Sequence, residues 1–197
     1  MSSADAEIYA ALGRVLSRLN LRWYVFGAQA AILYGAARFT EDIDVTVELG
    51  TLEASAFVSA LADAGFTPRI SERDFIDRTR VIPVLHESTK TPLDIVLAGP
   101  GIEELFFDGV RFVDVSGERV PVASPEDLVV MKVLAGRPKD LEDVVAVLAV
   151  QRQFDEERSR WLLDLLQQAL DQSDLMPVFE RCLTRAARGR ARPSRDG

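Results

Sequence analysis

The stretch Arg38-Phe39-Thr40-Glu41-Asp42-Ile43-Asp44-Val45 places two carboxylates two positions apart, in a run (42–49) whose polar and apolar residues alternate strictly. Such alternation predicts a strand with two unlike faces, and residues two apart on a strand project to the same side, about 6.5–7 Å from each other. Asp42 and Asp44 then point together while Ile43, Val45 and Val47 face a core. Carboxylates this close repel unless a proton or a cation compensates them. With only oxygen donors and no Cys or His nearby, Mg²⁺ or Mn²⁺ is favoured over zinc. Asp94 is a lone charge in the apolar run Pro92–Leu97, where unpaired burial is expensive. A strand there beside 42–49 brings the third acid to the other two. Three carboxylates suffice for two ions, one activating an attacking oxygen and one clamping phosphates. The alternative for all three is a solvated strand face.

Upstream of the acids, the apolar run 22–26 ends in Gly27-Ala28 and feeds directly into an Ala-rich stretch. A strand that turns at glycine into a helix exposes free amides at the positive end of the helix, a generic anion site. Arg38 and Thr40 share the parity of Asp42 and Asp44 if the chain is extended there. Arg38 then meets either a phosphate or a neighbouring acid. Lys132 borders the apolar side of its segment and either snorkels to solvent or reaches toward phosphates. Asp140 serves as a helix cap or as a site residue, and Asp143 follows it one turn later. Arg137 and Lys139 read as surface cations, His86 as a structural or surface residue, and Cys182 as a small apolar filler.

The elements that must position these residues follow from periodicity. Apolar residues at helical spacing predict helices over 4–20 and 52–64, and Ala28 to Ala37 is helix-prone with Gly35 near its end. Strands are expected over 22–26, 42–49, 79–86 and 92–98, then a short helix over 102–107 and a hairpin over 110–115 and 119–122. Ser124-Pro125-Glu126-Asp127 combines a cap, a first-turn proline and acids suited to the helix dipole. It opens a helix that breaks at Gly136, and further helices follow after Pro138 and over 155–171 and 175–188. The expected fold is α+β: a small mixed sheet flanked by helices (1–123), a C-terminal helical part packed on it (124–188) and a basic flexible tail (189–197).

Strand-Gly-x-helix, then Arg-x-Thr-x-Asp-Ile-Asp, then a lone Asp in a later strand, resembles the polymerase-β-like nucleotidyltransferase superfamily. The segment Lys132-Val133-Leu134-Ala135-Gly136-Arg137-Pro138-Lys139-Asp140-Leu141-Glu142-Asp143 is similar to the Lys-x-x-Ala…Arg…Lys/Arg-Asp-x-x-Asp segment of minimal, toxin-like members of the abortive-infection (AbiEii) type. The likeness spans about Trp23 to Leu148. It implies transfer of a nucleoside monophosphate from an NTP, with release of pyrophosphate. It also implies Asp42, Asp44 and Asp94 as metal ligands and catalytic acids, and Lys132 as a charge-offsetting cation. Nucleotide contacts then come from Gly27, Ala28, Arg38, Thr40 and Asp140. Related toxin-like proteins modify a tRNA end or a protein hydroxyl and are paired with a cognate antitoxin. The family usually has Gly-Ser or Gly-Gly where this chain has Gly27-Ala28, so a hydroxyl is lost while the backbone amide stays. That loss supports a second reading, a catalytically silent nucleotide-binding or antitoxin-type interaction module. A purely structural partner protein is a third.

Composition narrows the classes further. The chain has 197 residues, 48% of them hydrophobic, and a net charge of −8, which excludes a disordered chain and a fibrous protein. One Cys excludes an internal disulfide or a cysteine-based zinc site, and one His excludes chemistry that needs two imidazoles. No apolar run approaches the roughly 18 residues of a membrane span, and no apolar leader opens the sequence, so a cytoplasmic protein is expected. From Arg181 onward the chain carries a net +5 against −13 for the rest. That end reads either as a frayed, solvated terminus or as a contact for RNA.

Overall fold

The run Arg-Trp-Tyr-Val-Phe forms strand β1 (Arg22–Phe26), and the acid-bearing run forms its antiparallel neighbour β2 (Ile43–Glu48). The computed structural model describes residues 3–70 and 73–190; the end of the basic tail, 191–197, lies outside the described residues. Two compact units result, one from residues 1–29 and 39–123, the other from 30–38 and 124–197.

In the first unit, β1 and β2 join β3 (Phe66–Pro68), β4 (Val81–His86), β5 (Thr91–Leu97), β6 (Arg111–Val115) and β7 (Glu118–Val122) in one mixed sheet of order β3-β4-β5-β2-β1-β7-β6. The β2–β5 and β1–β7 pairs are parallel and the other pairs antiparallel. Register sorts the faces. Val25, Val45, Ile95 and Ile82 lie level across four strands, and all are buried, as are Ile43, Leu93 and Val84 one row on. Helix α1 (Ser3–Arg18) packs against β7 and against α3 (Ala54–Ala62), and it sets Gly13 beside the Trp23 ring. Tyr24, on the other face, stands edge-on to Phe107 of α5 (Ile102–Asp108), with ring centres 4.9 Å apart.

The structure departs from the elements expected from sequence in four places. Helix α2 (Gly27–Leu33) stops short of Ala37, because Gly35 at φ 104° turns the chain and lets the Ala36 amide donate back to Ala31 O. Strand β2 starts at Ile43 rather than Asp42. On one side β1 has already left the sheet at Gly27, and on the other the residue level with Asp42 is Pro92, which has no amide hydrogen to extend a ladder. Thus 38–42 is not extended strand, and the strand parity linking Arg38, Thr40 and Asp42 to Asp44 does not hold. Strand β3 and helix α4 (Arg73–Thr79) were not expected; each is too short to show a period.

His86 is buried, with its ring centre 4.9 Å from that of Phe66 and Nδ1 3.0 Å from Thr89 Oγ1. Burial holds its pKa below the ordinary value, against the raising pull of Glu7 and Glu87. A histidine whose folded pKa is depressed contributes full stability above its unfolded value of about 6.5, and that stability is lost as pH falls. Thermal melts between pH 7.5 and 5 are expected to show a loss that is smaller in His86→Gln.

In the second unit, α6 (Pro125–Ala135) is buried on nearly every side, with Leu128, Val129, Val130 and Val133 and the charged Glu126, Asp127 and Lys132 all inside, which marks a central helix. Ser124 Oγ accepts from the Asp127 amide at 3.1 Å, and Gly136 closes the helix in the left-handed conformation at φ 64°. Around α6 pack α7 (Pro138–Val150), α8 (Glu156–Leu170) and α9 (Leu175–Arg190). The fourth departure concerns the basic end. It is helical through Arg190, because Cys182 and Ala186 are buried, Arg185 pairs with Glu142 at 2.8 Å and Arg190 donates to Ala149 O at 3.0 Å. Among the described residues no helix is long and apolar enough to cross a membrane.

Candidate active site

Phe26, Asp44 and Asp94 lie level on β1, β2 and β5, so the two acids are register partners on neighbouring parallel strands. Neighbouring strands run about 4.8 Å apart and level residues share a face, so the two carboxylates stand side by side. Both residues are part-exposed, while Ile43, Val45, Leu93 and Ile95 on either side of them are buried on the opposite face.

Gly27 opens α2 at φ 66°, a conformation costing an L-residue roughly 1–2 kcal/mol. A Cβ there would fall 2.6 Å from the carboxyl carbon of Asp44 and 2.9 Å from its Cβ. The Asp44 carboxylate therefore lies directly against the start of α2, and only glycine leaves it that room. Gly27→Ala is expected to displace Asp44, to lower stability by at least about 1–2 kcal/mol and to remove nucleotide transfer. Urea unfolding and a transfer assay on the same preparation check both effects. Asp44 also acts on Tyr9 of α1, whose buried phenol is held protonated by burial first and by Asp5 and Asp44 after it.

The remaining candidates are distributed as follows. Asp42 is exposed just ahead of β2, and its carbonyl accepts from Thr40 Oγ1 at 3.4 Å. Asp94 Oδ1 accepts from Arg69 Nη2, a residue the sequence reading passed over. Nothing local marks it: it is one exposed arginine after a proline, and only the register of β3 brings it near an acid. Ala28, the second residue of α2, is buried. Among the described residues no group of three His, Cys, Asp or Glu side chains is gathered to hold a metal. Asp44 and Asp94 are nonetheless a fitting donor set for a hard divalent ion: two adjacent carboxylates, part-exposed, with no soft ligand beside them.

The second unit gathers the other charged candidates. Lys132 is 5% exposed and does not snorkel. Its Nζ donates to Asp143 Oδ2 at 2.7 Å and to Asp140 Oδ1 at 3.2 Å, both buried at the start of α7. Arg38 Nη1 meets the same Asp143 oxygen at 2.8 Å, so the ion-pair reading holds for it. Arg137 donates from Nε to Asp140 Oδ2, and from Nη2 to Oδ1 at 3.3 Å. Burial opposes ionisation of Asp140, but the hydrogen bonds and charges of Arg137 and Lys132 together outweigh it and hold the carboxyl below its ordinary value. Asp143, read from sequence only alongside Asp140, is the hub where Lys132 and Arg38 meet.

Comparison with known families matches residues 10–196 to the nucleotidyl transferase AbiEii toxin, type IV TA system. No curated protein matches the chain. Among solved structures, an antigenic nucleotidyltransferase-like protein from Paracoccidioides brasiliensis is similar at 16% identity and a TM-score of 0.57, over 88% of this chain and 91% of that one. The antibiotic-resistance factor ANT(2'')-Ia is similar at 12% identity and a TM-score of 0.59, over 87% and 95%. The lincosamide antibiotic adenylyltransferase LnuA, solved with lincomycin bound, is similar at 13% and 0.54, over 77% and 99%. At these identities the likeness is one of fold. The fold agrees with the family match, which spans nearly the whole sequence: the chain belongs to the AbiEii family of toxin nucleotidyltransferases and is a nucleotidyltransferase.

Proposed function

We propose that the chain transfers a nucleoside monophosphate from an NTP to a hydroxyl of an RNA or a protein, and that it acts as a toxin restrained by a cognate antitoxin. The observation that carries the reading is the level pairing of Asp44 with Asp94 beside the glycine that opens α2. The acceptor hydroxyl attacks the α-phosphorus in line, a new P–O bond forms, and the bond to the β-phosphate oxygen breaks to release pyrophosphate. Asp94 takes the hydroxyl proton at a carboxylate oxygen. Gly27 and Ala28 offer backbone amides to the phosphates, a contact that survives the absence of a hydroxyl at position 28. Mg²⁺ or Mn²⁺, when bound, supplies Lewis-acid polarisation and charge neutralisation at the triphosphate. Asp44 and Asp94 would hold it, with Asp42 two residues upstream.

Lys132, Asp140 and Arg38 serve this reading as an internal network that fixes α6, α7 and the 30–38 segment, in place of the charge-offsetting role expected of Lys132 and the nucleotide contacts expected of Asp140 and Arg38. The exposed arginines toward the end of α9 favour a polyanionic acceptor such as tRNA. The test is incubation with each α-labelled NTP, Mg²⁺ or Mn²⁺, total RNA and lysate protein. One labelled polymer and released pyrophosphate are expected, and neither with Asp44→Asn/Asp94→Asn. Metal-dependent NTP binding without pyrophosphate release would instead support the silent nucleotide-binding module, the reading favoured by the missing hydroxyl at Ala28.

A further inference from the structure

Arg69 comes one residue after β3, and its amide donates to Pro83 O at 2.8 Å, so the pairing of β3 with β4 runs on to it. Pro83 is level with Asp94, and Asp94 with Asp44. A single row of same-facing residues therefore crosses four strands: Arg69, Pro83, Asp94, Asp44. Pro83 is the compact, non-polar member of the row, and the long Arg69 side chain spans it to donate to Asp94 Oδ1. Level like charges on neighbouring strands are destabilising, so a cation at this place relieves Asp44 and Asp94 of their mutual repulsion. The pair is also open: the Arg69 and Asp94 side chains are 39% and 41% exposed, so an incoming ion has access to the carboxylate.

We infer that Arg69 is a built-in stand-in cation: it neutralises Asp94 while no divalent ion is bound and is displaced when one arrives, so that it sets the affinity of the site for the ion. The inference rests on the proposed reading of Asp44 and Asp94 as the ion's ligands. An exposed ion pair contributes up to about 1 kcal/mol, which converts to an affinity change of up to about fivefold.

The test reads binding and stability rather than turnover. Mn²⁺ binding without nucleotide is followed by the electron paramagnetic resonance signal of the free ion, and melting is recorded in chelator and in saturating Mg²⁺. Arg69→Ala and Arg69→Gln are expected to bind Mn²⁺ roughly three- to fivefold more tightly than the parent, to melt below it in chelator, and to match it in saturating Mg²⁺. Arg119→Ala, which removes the same charge from β7, is expected to leave Mn²⁺ affinity unchanged. Unchanged or weaker binding in both Arg69 variants overturns the inference, and so does a melting deficit of equal size with and without Mg²⁺, which marks a plain structural pair. If Asp44→Asn/Asp94→Asn binds Mn²⁺ like the parent, the ligand reading itself fails. If that double variant loses binding while the Arg69 variants gain none, only the role of Arg69 falls.

Discussion

Asp44→Asn is expected to lower nucleotide transfer by at least about 10²-fold while leaving the protein as stable as the parent or slightly more so. Asp44 would hold the ion that neutralises charge at the triphosphate, and losing such stabilisation of developing charge costs roughly 10²–10³ in rate. The stability side follows from register. Asp44 stands level with Asp94, and relief of a directly opposed like-charge pair is worth at most about 1 kcal/mol, less here because Arg69 already pairs with Asp94. Asn keeps an acceptor oxygen at almost the same place and needs no space beyond the carboxylate, which matters because the side chain lies against Gly27. For a chain of this size the expected gain is no more than about 2–4 °C in Tm. Loss of activity with a retained melting point separates a chemical role from a packing role, and Gly27→Ala, which loses both, is the contrasting case. The prediction is checked by initial rates of α-label transfer beside scanning calorimetry. A variant that melts far below the parent, or keeps more than a tenth of its activity, sinks it.

The acids and the glycine were legible because their signals are local. Alternation shows which residues share a face over 43–48, the part of the 42–49 run that forms β2, and Gly27 at the end of an apolar run marks where a strand must turn. That Asp94 stands level with Asp44 was an expectation about strand order, which periodicity does not encode. The structure supplies it through the parallel β2–β5 pairing. The same ignorance of neighbours explains the misread 38–42 segment: the residues themselves suit a strand, but β1 leaves the sheet at Gly27 and Pro92 stands level with Asp42. Arg69 was invisible for a related reason, since its partner lies two strands away. The helical signals after Ser124 were strong enough to fix α6 between Pro125 and Gly136. They could not show that Lys132 points inward, because a lysine at the edge of an apolar stripe has the same pattern whether its head reaches water or a buried acid.

That inward lysine carries a large expected effect on stability. Lys132→Ala leaves Asp140 and Asp143, 2% and 5% exposed, without the ammonium they share. Breaking a buried pair by deleting one partner costs about 3–5 kcal/mol, because a charge stays buried without compensation. The loss is cushioned but not cancelled. Arg137 still reaches Asp140 from an exposed position, and Arg38 still reaches Asp143. The pH dependence identifies the cause. In the parent the Asp140 carboxyl lies below its ordinary value, so its contribution is present above the unfolded pKa of about 3.9 and is lost as pH falls through the folded one. Without Lys132 two of the influences that lower it are gone, the folded pKa rises, and the variant is penalised most where Asp140 must be ionised. The stability gap between parent and variant is therefore expected to be widest near pH 7 and to narrow toward pH 4, as protonation discharges Asp140. Pairing Lys132→Met with Asp143→Asn should recover part of the loss, as coupled groups do when both are removed. Urea unfolding at pH 7 and pH 4 measures it. A deficit under about 1 kcal/mol at pH 7, or one that does not change with pH, would show that the buried ammonium does not hold α6 to α7.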